Sequence, residues 1–264
     1  MILRRLGNKK KIAKKIQAYF PAHKIYISTF FGAGGMYFNK PKSDYNIVND
    51  IDSDVFNLFQ VVMNEKENLM NLFNLMPIHL DLLEYWKENK ELEPIKKALR
   101  FLLLSNCTFL GKMDTLSFAA VDKPKKLFSE NIELTFKLLK DVKFNNCDFR
   151  KFLKSISFAK KDFGKPSKQK ESSFIYNDPP YLQTKNTYSN ANTWSEQDSF
   201  DLFEANEKTG CKWAMSEFDH PFILKQAKER NLNVIEIGER QNLKNRRTEI
   251  LVTNYKTNQL NLFS

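Results

Sequence analysis

Histidine and cysteine are scarce in this sequence, and their scarcity excludes several kinds of site. The chain has 264 residues, of which three are His and three are Cys. A His-based metal centre or a Ser-His-Asp triad therefore has little to be built from, and we predict no metal site. The three cysteines form no C-x-x-C pair, and their odd number argues against a disulfide framework. A reducing cytosol fits this composition.

Long apolar runs are also missing. No run approaches the roughly 20 residues that are needed to cross a bilayer, and no apolar signal core follows the basic N-terminal stretch. The sequence therefore predicts a cytoplasmic protein with no membrane partner. Hydrophobic residues make up 42% of the chain, which is enough for the core of one large domain, with or without a smaller insertion.

Acidic residues are outnumbered, but most of the excess positive charge comes from lysine. The chain has 42 Lys and Arg against 31 Asp and Glu, a net charge of +11, and only eight of the basic residues are Arg. An anionic partner is expected, although solvated surface lysines explain most of the charge equally well. The arginines cluster at Arg4 and Arg5 and again at Arg240, Arg246 and Arg247.

Alternating patterns of apolar residues predict an α/β sheet domain interrupted by helices. The predicted strands are 24–30, 45–50, 144–149, 173–177, 212–216, 233–237 and 249–255, of which the last two could pair as a hairpin. The predicted helices are 8–20, 196–208 and 221–230, together with a largely helical region from 53 to about 143. Residues 160–170 are predicted to be a surface loop.

A tetrad that follows the predicted strand 173–177 carries the most chemical information. In Asp178-Pro179-Pro180-Tyr181, two prolines end the strand and fix the direction of the backbone carbonyls. The Asp178 carboxylate and the Pro179 carbonyl can accept both hydrogen bonds of an exocyclic amino group, while Tyr181 stacks on its ring. A carboxylate placed there stabilises the positive charge that develops on adenine N6 as it attacks a methyl group. The alternative is a tight turn capped by a core tyrosine.

Glycine is the scarce residue that points to a ligand. Three of only eight glycines fall in Phe30-Phe31-Gly32-Ala33-Gly34-Gly35, directly after a predicted strand. Glycine adopts positive φ and lets the backbone approach a ligand closely. A glycine turn beside a core phenylalanine is an equally good explanation of this run alone.

An acid at the end of the next predicted strand favours the interpretation of this glycine run as a ligand-binding loop. Asp50 stands where a carboxylate can accept two ribose hydroxyl bonds in doubly wound nucleoside sites. Alternatively, Asp50, Asp52 and Asp54 could merely cap a helix.

The glycine motif followed by the Asp-Pro-Pro-Tyr tetrad resembles the S-adenosylmethionine-dependent DNA adenine N6-methyltransferases of the Dam type, the alpha group. The resemblance covers most of the chain. It implies a Rossmann-like methyltransferase sheet with an inserted helical DNA-recognition subdomain. The catalytic domain would comprise 1–60 and 141–257, the target-recognition insertion 61–140, and a C-terminal tail 258–264.

The resemblance also implies a cofactor site for S-adenosylmethionine. Its contacts would be Arg5, Gly7, Asn8, Lys9, Phe30, Phe31, Gly32, Ala33, Gly34, Asp50, Ile51, Asp148, Phe149 and Asp178. The catalytic group would be Asp178, Pro179, Pro180 and Tyr181. Tyr188 and Trp194 lie where such enzymes have aromatic side chains beside the target base.

Two segments depart from the pattern of this family. Ser28 stands where members commonly carry an acid that holds the methionine amino group. The segment 107–112 resembles only loosely the one that reads GATC in the best-known members, so no target sequence is carried over.

The predicted partner is double-stranded DNA. The target base must leave the helix to reach the edge of a sheet, at a cost of a few kcal/mol, so phosphate contacts must supply the affinity. The expected DNA contacts are Lys112, Tyr188, Arg240, Lys244, Arg246 and Arg247.

The tail carries a separate motif. Gln259, Leu260, Leu262 and Phe263 resemble the pentapeptide that binds the bacterial sliding clamp, unless these side chains pack back on the domain. A cognate restriction endonuclease is a further possible partner.

The sequence is also compatible with other functions. They are methylation of adenine in RNA or single-stranded DNA, and a catalytically silent DNA-binding relative.

Overall fold

The computed structural model of the chain describes residues 2–5, 7–108, 125–162, 165–182, 194–241 and 246–257. Over these ranges the chain forms nine α-helices, a seven-stranded sheet and a separate pair of two-residue strands. The predicted α/β fold class is confirmed, and the sheet is consistent with a Rossmann-like methyltransferase. None of the helices in these ranges is long and apolar enough to cross a membrane.

Strands and helices are numbered in chain order. The strands are β1 Ile25–Ser28, β2 Tyr45–Asn49, β3 Val142–Asn145, β4 Lys161–Asp162, β5 Lys165–Pro166, β6 Ser173–Asn177, β7 Lys212–Phe218, β8 Asn233–Gln241 and β9 Arg246–Thr253. The helices are α1 Ala13–Gln17, α2 Ser53–Asn64, α3 Lys66–Leu75, α4 Leu80–Glu88, α5 Pro94–Cys107, α6 Lys125–Leu139, α7 Phe149–Ser155, α8 Glu196–Thr209 and α9 Pro221–Glu229. Two short 3-10 helices cover Lys9–Lys11 and Tyr37–Asn39.

The chain divides into two compact units. The first consists of Met1–Lys11, Gly32–Asn39 and Asp52–Asn146, and the second of Ile12–Phe31, Lys40–Ile51 and Cys147–Ser264. Helices α2 to α6 and strand β3 belong to the first unit. The predicted recognition insertion, 61–140, falls within its sequence range, and its assignment to DNA recognition stays a prediction.

The strands of the second unit pair in the order β2-β1-β6-β7-β9-β8. Strands β2, β1, β6 and β7 are parallel, whereas β9 is antiparallel to both β7 and β8. Ser28 of β1 is in register with Val48 of β2 and with Tyr176 of β6. The predicted hairpin of the last two strands is confirmed. Because parallel strands point the same way, β1, β2 and β6 all end at one edge of the sheet.

Burial of apolar side chains on both faces holds these parallel strands in place. Every residue of β6 is buried, as expected for a strand covered on both faces. Ile175 of this strand belongs to a core that also contains Leu202 and Phe203 of α8, Trp213 of β7 and Ile223 of α9. The sheet edge that carries the candidate site therefore rests on a continuous packed core.

The first unit contains a helix cap at the start of α2 and an aromatic stack. Asp52 accepts hydrogen bonds from the backbone N–H groups of Asp54 and Val55 at the start of α2, so the helix-cap explanation of Asp52 is correct. In the same unit, Phe59 of α2 stacks on Phe144, with ring centroids 5.7 Å apart.

Three local predictions differ from the structure. The strand predicted at 144–149 is Val142–Asn145. Its apolar end, Phe149, begins α7 instead, because the Asp148 side chain accepts a hydrogen bond from the Arg150 backbone N–H and caps that helix. The predicted loop 160–170 contains the antiparallel pair β4 and β5. The first predicted helix, 8–20, is also shorter than expected and consists of a 3-10 turn followed by α1.

We expect Leu202→Ala in α8 to lower the free energy of unfolding by about 2–5 kcal/mol, because a completely buried leucine leaves a cavity when it is truncated. Urea unfolding followed by circular dichroism measures this loss.

The matched control is Lys208→Ala on the same helix, where the side chain is 76% exposed. Its effect should stay within about 0.5 kcal/mol. Equal losses in the two variants would contradict the assignment of α8 to the core.

Candidate functional site

The candidate site of the second unit lies where β1, β2 and β6 end. Backbone hydrogen bonds continue past the strands: Thr29 N donates to Tyr176 O at 3.2 Å, and Phe31 N donates to Asn49 O at 2.9 Å. Strand β1 lies between β2 and β6, so the segments after β2 and β6 flank the end of β1. The strand order changes direction at this point, because β2 lies on one side of β1 and β6 on the other. Such a switch point is the usual ligand crevice of an open α/β sheet.

The Asp178-Pro179-Pro180-Tyr181 tetrad follows β6 directly, as predicted. Asp178 is half-buried and Pro179 is buried. Tyr181 is 7% exposed, donates its hydroxyl hydrogen bond to Glu249 Oε1 at 2.9 Å, and makes a T-shaped contact with Phe218. Burial, with the Asp178 and Glu249 carboxylates, raises the pKa of Tyr181 well above its usual value. The phenol is therefore a neutral donor throughout the physiological pH range.

Asn49, which sequence reasoning gave no role, joins the ends of two segments of the site. Its Nδ2 donates to Thr29 O at 3.1 Å and to Cys147 O at 3.0 Å, and its Oδ1 accepts from Cys147 N at 3.2 Å. The side chain is 1% exposed. Asn49 thereby fixes the backbone immediately before Phe30 and immediately before Asp148.

The residues after Asn49 combine a buried acid with an exposed apolar side chain. Asp50 is 8% exposed, and Ile51 is 62% exposed. An apolar side chain left in solvent beside a buried carboxylate suits a ligand that has both a polar and an apolar part.

Three aromatic side chains form a cluster beside the end of β1. Phe30 lies 5.7 Å from Phe149 and 5.6 Å from Trp194, and Phe149 lies 5.4 Å from Trp194, measured between ring centroids. The Trp194 indole donates to Ser199 Oγ at 2.8 Å. Phe30 and Phe149, two of the three phenylalanines that the resemblance assigns to the cofactor, are therefore neighbours in the structure.

Arg150 links this cluster to the acidic side chains of α8. Its guanidinium lies 4.3 Å above the Phe149 ring and contacts the carboxylates of Asp148, Asp198 and Asp201 at 2.6–3.2 Å. Burial alone would lower the pKa of Arg150, but the hydrogen bonds to Asp198 and Asp201 raise it. The sequence offered no signal for this network, because its members lie about 50 residues apart.

The glycine motif and the N-terminal segment belong mainly to the first unit. Gly32 and Gly34 have φ of 54° and 72°, the positive values that the motif predicted. The Asn8 side chain lies against Gly35, where a Cβ atom would collide with it. Lys9 is 3% exposed and donates to Gly7 O at 3.4 Å.

Arg5 has a protein partner in the same unit. Its guanidinium pairs with the Asp52 carboxylate at 2.6 Å, and both side chains are 12% exposed. The ion pair fixes Arg5 beside the start of α2. A cofactor contact of Arg5 stays a prediction.

The expected DNA contacts are only partly within the described residues. Arg247 is half-buried, donates to Leu182 O at 3.4 Å and lies 5.5 Å from the Phe218 ring. The backbones of Arg240 and Arg246 lie in the hairpin, where Arg240 is in register with Arg247. Lys112, Tyr188, Lys244 and the tail residues Gln259, Leu260, Leu262 and Phe263 lie outside the described residues. Among the described residues, no group of three His, Cys, Asp or Glu side chains could hold a metal ion.

Comparisons with known proteins point to one family. A family model described as D12 class N6 adenine-specific DNA methyltransferase matches residues 6–259. The chain is 23% identical over 277 aligned positions to the type II methyltransferase M1.LlaDCHI of Lactococcus lactis subsp. cremoris, which covers 94% of this chain and 93% of that protein.

Two other similarities carry no functional argument. Protein Ycf2 of Physcomitrium patens is 23% identical over 239 positions, but the match spans 87% of this chain and only 10% of that protein. A conserved hypothetical protein from Streptococcus pyogenes aligns with a TM-score of 0.40 and 9% identity over 92% of this chain and 94% of that chain. That TM-score is too low to support an inference.

We expect Asn49→Asp to lower the free energy of unfolding by about 1–3 kcal/mol, because a carboxylate cannot donate to the carbonyls of Thr29 and Cys147. Equilibrium urea unfolding at neutral pH measures the change.

Asn71→Asp, the same substitution at an exposed position within α3, should change stability by less than about 0.5 kcal/mol. If Asn49→Asp is as stable as this control, the bridging role of Asn49 is wrong.

Proposed function

The chain belongs to the D12 class N6 adenine-specific DNA methyltransferase family, and from this premise we propose that it transfers a methyl group from S-adenosylmethionine to N6 of an adenine flipped out of double-stranded DNA. The observation that carries the proposal is the position of the Asp178-Pro179-Pro180-Tyr181 tetrad. It follows β6 at the sheet edge where β1, the strand that leads into the glycine motif, also ends. The closer assignment to the Dam-type alpha group rests on the sequence resemblance.

The tetrad suits the chemistry of an aromatic amino group. The lone pair of adenine N6 is delocalised into the ring, so the amino group is a poor nucleophile until acceptors hold its two hydrogens. Asp178 would accept one hydrogen bond and the Pro179 carbonyl the other, while Tyr181 stacks on the base. Positive charge develops on N6 as it attacks, and the Asp178 carboxylate stabilises that charge. As the bond from N6 to the methyl carbon forms, the bond from that carbon to the donor's sulfur would break. N6 would then release one proton to water, which leaves a neutral methylated amine.

The sheet edge of the second unit also fits S-adenosylmethionine, which supplies an electrophilic methyl group when bound. Asp50 provides a buried carboxylate for the ribose hydroxyls, as acids do at the end of the second strand of other nucleoside sites. Ile51 is exposed beside it, and the Phe30, Phe149 and Trp194 cluster provides aromatic surface. The remaining contacts, including Gly7, Asn8 and Lys9, rest on the resemblance.

The contact with the methionine amino group is the place where this chain differs. Ser28 is 3% exposed and offers a hydroxyl in place of the expected acid. A hydroxyl can accept a hydrogen bond from an ammonium group but supplies no counter-charge. Another acceptor of this edge would then supply the charge.

Duplex DNA would be held largely through its phosphates. The hairpin of β8 and β9 carries Arg240, Arg246 and Arg247. These arginines lie on the same hairpin as Glu249, which binds Tyr181 of the tetrad. Arginine donates two parallel hydrogen bonds to a phosphate and is never deprotonated. Lys112, Lys244 and Tyr188 complete the proposed contacts.

Further partners follow from the relative and from the tail. The similar Lactococcus lactis protein is named a type II methyltransferase, which supports a role in restriction-modification beside a cognate endonuclease. The tail residues Gln259, Leu260, Leu262 and Phe263 remain proposed contacts for a bacterial sliding clamp. Action on chromosomal DNA would place the protein in the cytoplasm, at the nucleoid.

Asp178→Ala should lower kcat for methyl transfer by at least about 100-fold, because it removes the carboxylate that stabilises charge on N6. Transfer of labelled methyl groups to duplex DNA measures the rate. Circular dichroism and titration with S-adenosylmethionine show whether the variant stays folded and binds the cofactor.

Asp44→Ala, at an exposed acid before β2, serves as the control and should keep wild-type activity. Turnover by Asp178→Ala close to the wild-type rate would refute the mechanism. A folded wild-type protein that binds no S-adenosylmethionine would instead identify a silent DNA-binding relative.

Duplex DNA should be the preferred substrate over single-stranded DNA and RNA of the same sequence. We expect kcat/KM for the duplex to exceed that for RNA by at least about tenfold. Transfer to duplex should also fall steeply between 50 and about 200 mM salt, since phosphate contacts release counterions. A higher kcat/KM for RNA or for single-stranded DNA would support the alternative substrates.

A further inference from the structure

A side chain of strand β9 binds the last residue of the Asp178-Pro179-Pro180-Tyr181 tetrad. The Tyr181 hydroxyl donates to Glu249 Oε1 at 2.9 Å, and the two residues are 7% and 1% exposed. Glu249 is in register with Phe218 of β7, whose ring makes the T-shaped contact with Tyr181 at a centroid distance of 4.7 Å. Paired residues of antiparallel strands share a face. Phe218 and Glu249 therefore form one surface against which Tyr181 packs.

A second contact joins the same face to the residue after the tetrad. Arg247 lies two positions before Glu249 on β9, so both side chains leave the same face of the strand. Its Nη1 donates to Leu182 O at 3.4 Å, and its guanidinium lies 5.5 Å from the Phe218 ring. The segment 181–182 is thus held by one side-chain acceptor and one side-chain donor from β9.

The Tyr181 phenol stays protonated at neutral pH and can therefore donate to Glu249. The pKa of the phenol is raised well above its usual value, by burial first and then by the carboxylates of Asp178 and Glu249. Raising the pKa favours the protonated form, so the hydroxyl remains a donor. A hydrogen bond from a neutral phenol to a carboxylate is charge-assisted and stronger than one between neutral groups.

We propose that Glu249 is a positioning residue for methyl transfer: through the Tyr181 hydroxyl it fixes the ring and the end of the tetrad whose other end is fixed by β6. This inference rests on the proposed function. The two prolines stiffen the backbone between Asp178 and Tyr181, so a fixed Tyr181 also restrains the Asp178 carboxylate and the Pro179 carbonyl. Small displacements of groups that contact the reacting atoms cost large factors in rate.

The test compares three variants of the full-length protein in the methyl-transfer assay. Tyr181→Phe removes the donor, Glu249→Leu removes the acceptor, and Glu249→Gln keeps an acceptor oxygen without the charge. We expect Tyr181→Phe and Glu249→Leu each to lower kcat by a factor of about 3 to 10, the kinetic equivalent of one net hydrogen bond. The KM values for DNA and S-adenosylmethionine should change by less than about twofold, because Glu249 touches neither. Glu249→Gln should restore most of kcat.

The double variant Tyr181→Phe with Glu249→Leu tests whether the two residues act through one shared interaction. If the two residues act through their common hydrogen bond, the double variant should be no slower than the slower single variant. A merely structural role of Glu249 would instead give multiplied losses and no rescue by glutamine. Tyr255→Phe is the matched control, since its hydroxyl donates to Tyr19 O at 3.1 Å within the second unit but away from the tetrad. It should leave kcat unchanged.

The outcomes separate this inference from the function on which it rests. Wild-type activity together with unchanged kcat in Glu249→Leu, or independent losses in the double variant, would overturn the positioning role and leave the methyltransferase function intact. A folded wild-type protein without methyl transfer to any adenine substrate would overturn both. Tyr181→Phe keeps the buried ring, so it gives a result even if Glu249→Leu does not fold.

Discussion

The register of three parallel strands is the constraint on which the rest of the site depends. Strand β1 pairs with β2 on one side and with β6 on the other, and Ser28 is in register with a residue of each. Two backbone hydrogen bonds extend this pairing beyond the strands, from Thr29 N and from Phe31 N. A shift of one residue in either pairing would turn the strand's side chains to the opposite face. The positions of Asp50 and Asp178 relative to Phe30 and Phe31 at the end of β1 therefore follow from backbone pairing, before any side chain contributes.

Buried polar side chains then fix the segments that follow these strands. Asn49 is 1% exposed and holds the backbone on both sides of it through three hydrogen bonds, and Glu249 is equally buried and accepts from Tyr181. Burying such groups is costly unless they are hydrogen-bonded, and losing one partner leaves the other desolvated. Each bond therefore specifies a geometry as well as adding a little stability. A rigid edge of this kind is what a reaction that depends on the placement of one carboxylate and one carbonyl requires.

Sequence reasoning reached those parts of the site whose signals are local. The glycines and the Asp-Pro-Pro-Tyr tetrad each follow an apolar strand, so strand and turn could be predicted from about ten consecutive residues. The chemistry assigned to these residues stays a prediction. The failures were of two kinds. Residues 144–149 were predicted to be one strand, whereas the strand ends at Asn145 and Asp148 caps a helix that begins at Phe149. The bonds from Asn49 to Cys147 and from Tyr181 to Glu249 join residues 98 and 68 positions apart, and no local pattern in a single sequence encodes such distances.

The position of Arg247 narrows down which of the chain's positive charges would contact DNA. A guanidinium has five N–H donors in a planar fork. Its bond to Leu182 O uses one of them, and its position over Phe218 uses the face of the group, so donors remain for a phosphate. A phosphate bound there would contact the same side chain that supports the segment after Tyr181. One arginine could thus serve both as a proposed phosphate contact and as support for the segment after Tyr181. We therefore propose the hairpin, rather than the dispersed lysines, as the centre of the DNA interaction.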